Sequence, residues 1–197
     1  MIGLTAQHPA HRRFPESLTF MLDNPIRRFR YPPERLISKL GVGSNDVVID
    51  FGCGPGFFLI PLAKVAGKAI GVDVSPRMLE KAAQHAKKKG VTIELLQSDG
   101  TGIQLEDGSV DLILLNHVFH EVEDKPRVLG EFQRILKASG RLAIVERTRG
   151  SGMPWRIMGP PIVDERELTR ETQQTGLGFA QAIEYGNDSI VIAQKVD

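Results

Sequence analysis

The sequence predicts an α/β fold: a doubly wound, mostly parallel, seven-stranded sheet with helices on both faces and a C-terminal antiparallel hairpin. Three observations lead there. Short apolar runs, Val47-Val48-Ile49 and Val110 to Asn116 among them, suit strands buried on both faces. Amphipathic helical stretches separate these runs, the alternation that gives a parallel sheet. Two closing β-type segments flank Gly186-Asn187-Asp188, a turn short enough for a hairpin.

Taken in order, Pro32-Pro33 starts a helix through about Leu40, with Leu36, Ile37 and Leu40 on one face and Gly41 as its stop. After the first strand, Gly56 to Ala66 reads as a helix. Lys68 to Val74 is the second strand. Ser75 is an N-cap with Pro76 behind it, and Met78, Leu79, Ala82, Ala83 and Ala86 form the buried stripe of the helix they open. Lys87, Lys88 and Lys89 suit its C-terminal dipole, and Gly90 ends it. Ile93 to Gln97 is the third strand and Val110 to Asn116 the fourth. A helix from about Lys125 to Lys137 buries Val128, Leu129, Phe132, Ile135 and Leu136, and Arg141 to Glu146 is the fifth strand. Asp164, with Glu167 three residues on, resembles a capping box for a helix ending at Gly176. Phe179 to Tyr185 and Ser189 to Gln194 close the sheet.

Composition bounds the function. The chain has 197 residues, a size that needs no disulfide or metal staple. Cys53 is the only cysteine, which removes an intramolecular disulfide and a Cys-rich metal site, and no metal is expected. The net charge of +1 gives no strong nucleic-acid signal. No run approaches the roughly 20 apolar residues of a membrane span, and Met1 to Arg13 lacks the apolar core of a signal peptide, so a cytoplasmic location is expected. Residues 1–31 stand apart as an N-terminal arm or lid, rich in arginine and aromatic residues; residues 32–197 form the main domain.

Ligands on such sheets bind beyond the carboxyl ends of the strands. There lies Asp50-Phe51-Gly52-Cys53-Gly54-Pro55-Gly56, a glycine-rich turn whose backbone can approach a ligand closely. The second strand ends in Asp73, a carboxylate suited to two ribose hydroxyls. Gly-x-Gly-x-Gly is one residue shorter than the usual dinucleotide spacing, which disfavours a nicotinamide-dependent oxidoreductase, as does the terminal hairpin.

In these motifs the chain resembles the class I S-adenosylmethionine-dependent methyltransferases, whose sheet is Rossmann-like. The resemblance covers residues 32–147 well and 164–196 loosely. It implies S-adenosylmethionine as cofactor, with Asp50, Gly52, Cys53, Gly54 and Gly56 in the first motif beside its methionine part. It implies Asp73 on the ribose, Val74 and Met78 against the adenine, and Asp99 and Gly100 at the adenine edge. Asn116 and the segment Phe119 to Asp124 resemble the fourth motif and its loop. Leu136-Lys137-Ala138-Ser139-Gly140 is similar to the family's Leu-Lys-Pro-Gly-Gly turn, with Ala138 and Ser139 as departures. The chain is similar to the small-molecule group that includes quinone-biosynthesis and arsenite methyltransferases, but the arsenite enzymes rely on several cysteines. Cys53 alone excludes that chemistry and reads as a small buried filler.

Methyl transfer needs alignment and exclusion of water more than a catalytic constellation. His117 and His120 are candidate catalytic residues; at 120 the resemblance implies a loop-ordering histidine. Glu146 beside Arg147 reads as an ion pair at a strand end. Arg27, Arg28, Tyr31 and Trp155 are candidate substrate-binding residues, from the arm and from the Gly/Pro-rich loop 149–163. The expected partner is a small-molecule methyl acceptor. The alternatives are a protein or RNA methyltransferase and a non-catalytic S-adenosylmethionine-binding module.

Overall fold

The computed structural model describes residues 31–148 and 161–196. The sheet holds seven strands: β1 (Val47–Phe51), β2 (Lys68–Asp73), β3 (Glu94–Gln97), β4 (Val110–Asn116), β5 (Leu136–Arg147), β6 (Leu177–Tyr185) and β7 (Asp188–Lys195). Their order is β3-β2-β1-β4-β5-β7-β6. The first five run parallel, and β7 is antiparallel to both β5 and β6. The expected fold class is therefore the one observed.

Period-two alternation feeds two cores, one on each face. Ile49, Ile113, Leu115, Leu142, Ile144 and Val191 point to one side. There they meet Val128, Leu129 and Phe132 of α4 (Lys125–Ile135) and Leu168 of α5 (Glu165–Gln173). Val48, Leu112, Leu114, Ala143, Val145 and Ile190 point to the other side. They meet Leu36, Ile37 and Leu40 of α1 (Pro33–Leu40), Leu59 and Leu62 of α2 (Leu59–Leu62), and Ala82 of α3 (Pro76–Lys89). Burying one such aliphatic side chain is worth about 2 kcal/mol, so both helix layers are held by the sheet they cover.

Helix ends follow the local chemistry. The Ser75 hydroxyl accepts the Met78 N–H at 3.3 Å, and the Asp124 carboxylate accepts the Arg127 N–H at 3.2 Å. Gly41 and Gly90 close α1 and α3 in the left-handed region. Several boundaries differ from expectation, among them the helix expected to end at Gly176, which ends at Gln173, and two have a plain local cause. The helix expected over 56–66 shrinks to four residues, because Gly56 takes φ 92° and Pro61 has no N–H for the ladder. The helix expected to reach Lys137 stops at Ile135, where Leu136 pairs with Val110 and opens β5.

Arg27, Arg28, the arm up to residue 30, and Trp155 lie outside the described residues. Tyr31 is half-buried and packs on the core that contains Tyr185.

Candidate active site

Strand register brings the carboxyl ends of four strands abreast: Phe51 pairs with Val72 and Leu115, and Asp73 with Gln97. The glycine turn leaves β1 there. Its Gly52 and Cys53 N–H groups both donate to the Val72 carbonyl, at 2.8 and 3.1 Å. Gly52, Gly54 and Gly56 have φ of 69°, 51° and 92°, a region other residues adopt only under strain. Open space lies over Gly54, where a Cβ would meet nothing within 4 Å.

Asp73 braces this turn. One carboxylate oxygen accepts the Gly54 N–H at 2.8 Å and the other accepts the Ser75 N–H at 2.9 Å. A carboxylate has about four acceptor positions, more than these two bonds use. Val74, the next residue, is 40% exposed, an apolar surface at the rim of the site. Met78, one turn on, is buried. At the end of β3, Asp99 is exposed and its Oδ1 accepts from the Thr101 N–H and hydroxyl, at 2.9 and 2.7 Å. Those bonds hold its carboxyl below the ordinary carboxylate range, so it is an ionised acceptor at neutral pH. Gly100, at φ 95°, seats the segment against the core; a Cβ there would lie 2.8 Å from Phe51 and 2.9 Å from Val128.

Asp50 and Cys53 are buried beneath the turn. Burial, then the Asp50 and Asp73 carboxylates, pushes the Cys53 thiol far up, so it stays protonated and packs as a small apolar group. Open space at a glycine, backbone bracing and an acceptor-rich carboxylate fit a ribose-bearing cofactor.

Beyond β4 the backbone carries a second group of side chains. Asn116 is half-buried at the strand end, and the His117 N–H donates to the Val145 carbonyl at 2.9 Å. His117 takes φ 55°. Its Nε2 lies 3.3 Å from Asp188 Oδ2 and its Nδ1 3.8 Å from Glu146 Oε2. His120 holds Glu146 more closely: Nδ1 is 3.1 and 3.0 Å from its two oxygens, and the backbone N–H donates to Oε1 at 3.2 Å. Burial alone would lower the His117 value, but the Asp188 and Glu146 carboxylates outweigh it and raise it to about 9. Burial alone would raise Glu146, but His117 and His120 hold it at about 2. The ion pair expected between Glu146 and Arg147 is replaced here by the two histidines, which surround the Glu146 carboxylate because the loop after β4 folds over the end of β5.

The structure thus gathers Gly52, Gly54, Asp73, Val74 and Asp99 along one half of the sheet edge, and His117, His120 and Glu146 along the other. Asp188 is the member that sequence reasoning missed. It reads as a turn residue, and only the insertion of β7 beside β5 brings it to the carboxyl end of the sheet.

In sequence and fold the chain is similar to known proteins. A methyltransferase-domain family model matches residues 49–144. A SAM-dependent methyltransferase from Aquifex aeolicus superposes with a TM-score of 0.84 at 28% identity, covering 93% of this chain and 100% of that one. A demethylmenaquinone methyltransferase of Lactobacillus johnsonii is 31% identical over 121 residues, 59% of this chain and 50% of that protein. A ubiquinone biosynthesis O-methyltransferase of Rhodopseudomonas palustris is 25% identical over 162 residues, 82% of this chain and 60% of that protein. The chain thus spans 50% to 60% of the length of these curated relatives. In fold and in the motifs around Gly54 and Asp73 it is similar to the class I S-adenosylmethionine-dependent methyltransferases.

Proposed function

We propose that the protein transfers the methyl group of S-adenosylmethionine to a small-molecule acceptor. The observation that carries the reading is the Asp73 carboxylate, locked to Gly54 and Ser75 on the rim of an open glycine turn. Asp73 would take the ribose hydroxyls, Val74 and Met78 the adenine, and Asp99 with Gly100 the adenine edge. Asp50, Gly52, Cys53, Gly54, Gly56 and Asn116 would surround the methionine part. When bound, the cofactor supplies an activated sulfonium methyl. The chain's own part is to align the acceptor and exclude water. The quinone-pathway names of the two curated relatives support a small acceptor. Among the described residues no helix is long and apolar enough to cross a membrane.

Calorimetric titration with S-adenosylhomocysteine, with NADH as control, tests the cofactor. Wild type should bind the first alone. Asp73→Ala should bind it roughly a hundredfold more weakly, the effect of about 3 kcal/mol of charge-assisted hydrogen bonds. Preference for NADH would sink the reading. Labelled methyl transfer then separates acceptors: label in small extracts supports the proposal, and label only in protein or RNA moves it to macromolecules.

A further inference from the structure

The Pro55–Gly56 peptide is the point at which the glycine turn could change shape. Glycine adopts φ of either sign at little cost, and Gly56 sits at φ 92°. Turning this one peptide over would break the 3.0 Å bond from the Gly56 N–H to the Cys53 carbonyl. On the other side of Gly54 the chain is already held, because Asp73 accepts the Gly54 N–H at 2.8 Å. Proline has no N–H and a fixed φ, so the group left to secure is the Pro55 carbonyl.

A side chain of α3 secures it. His85 Nδ1 lies 2.9 Å from the Pro55 carbonyl oxygen. A carbonyl can only accept, so Nδ1 carries the proton. The helix period explains the reach. Met78, Ala82 and His85 stand at i, i+4 and i+7 and share one stripe of α3. Ala82 is buried, and its Cβ lies 3.6 Å from the position of a Gly56 Cβ, so two small residues let helix and turn approach closely. His85, half-buried, follows one turn later, and its side chain leans back toward Ala82 and the glycine turn.

We propose that His85 is a positioning residue for the cofactor: it fixes the Pro55–Gly56 peptide, so that the turn keeps the shape that receives S-adenosylmethionine. The inference rests on the methyl-transfer reading above. Asp73 and His85 do complementary work from the one segment that joins β2 to α3. The carboxylate accepts the N–H of the Cys53–Gly54 peptide, and the imidazole donates to the carbonyl of the Pro55–Gly56 peptide. Between them lies only the Gly54–Pro55 peptide, which has no N–H to satisfy. His85 acts through the turn and takes no part in the chemical step.

The test compares three replacements in the full chain. Each is titrated with S-adenosylhomocysteine by calorimetry, at a temperature where thermal melts show it folded. His85→Ala removes the donor, and binding should weaken about fivefold, the worth of one neutral hydrogen bond. His85→Asn places an amide N–H where Nδ1 stands and should bind within about twofold of wild type. His85→Asp keeps the shape of asparagine but turns a carboxylate oxygen toward the carbonyl, and should bind about tenfold more weakly than His85→Asn. A side chain that only stabilised the fold would lower Tm in these variants and leave the affinity unchanged. The ring itself gives a readout without ligand. In 15N spectra the His85 signal, identified by its loss from His85→Asn, should show the Nδ1-protonated tautomer in the neutral ring. Equal affinity of wild type and His85→Ala, equal affinity of the Asn and Asp variants, or an Nε2-protonated ring would overturn the inference and leave the cofactor reading standing. Failure of wild type to bind S-adenosylhomocysteine would overturn both. The Asn and Asp variants and the ring tautomer decide the matter if His85→Ala does not fold.

Discussion

Raising the pH should loosen this protein through His117 before its lysines titrate. The folded state holds His117 at about 9 against an ordinary 6.5, so its contribution to stability is full below about 6.5 and is lost as pH rises through about 9. That difference corresponds to roughly 3 kcal/mol. In a domain of this size it lowers Tm by roughly 6–12 °C. The assay is a set of thermal and urea melts from pH 6 to 9.5 on wild type and His117→Gln. The variant starts lower, because Asp188 is left facing no cation from His117, and its stability stays nearly flat across that range. The sign reverses for the partner. Glu146 is held near 2, below its ordinary 4.5, so its contribution is present above about 4.5 and disappears as pH falls through about 2. Parallel wild-type and variant curves between pH 6.5 and 9 would refute the reasoning, since the loss would then belong to other groups.

Two glycine substitutions should separate strain from crowding. Gly100→Ala combines φ 95° with contacts under 3 Å to Phe51 and Val128, so urea melts should show a loss of about 3 kcal/mol. Gly54→Ala meets nothing, so only the backbone strain remains, about 1 kcal/mol, while S-adenosylhomocysteine binding weakens at least tenfold because the new methyl enters the cofactor's space. Cys53 should resist a thiol reagent such as 5,5′-dithiobis(2-nitrobenzoate) in the native protein and react fully in urea; rapid native labelling would contradict its buried, protonated state.

Where one local rule governs, the sequence is legible. The strand-to-glycine turn at 50–56 and the acid closing β2 are written in consecutive residues, as are the Ser75 and Asp124 caps. The short α2 was legible in principle, since Pro61 stands inside the apolar run, but apolar spacing alone suggests a longer helix. The Glu146 surroundings were not legible. Three segments 26 and 42 residues apart meet there, His120 with Glu146 and Glu146 with Asp188, and only the β5–β7 register joins them. Neighbouring residues suggested Arg147 as the partner. In a strand, however, successive side chains point to opposite faces, so Glu146 finds its partners across the sheet edge.

The bracing of Asp73 bears on turnover as well as on binding. Its two backbone bonds are made before any ligand arrives, so a ribose docked there would meet a shaped surface and need little ordering on association. Yet the ribose is the same in the methylated reagent and in the spent thioether. An anchor that grips both alike deepens the well on each side of the reaction without lowering the barrier between them. Strengthening this grip further would slow the departure of the used cofactor and leave the chemical step unchanged.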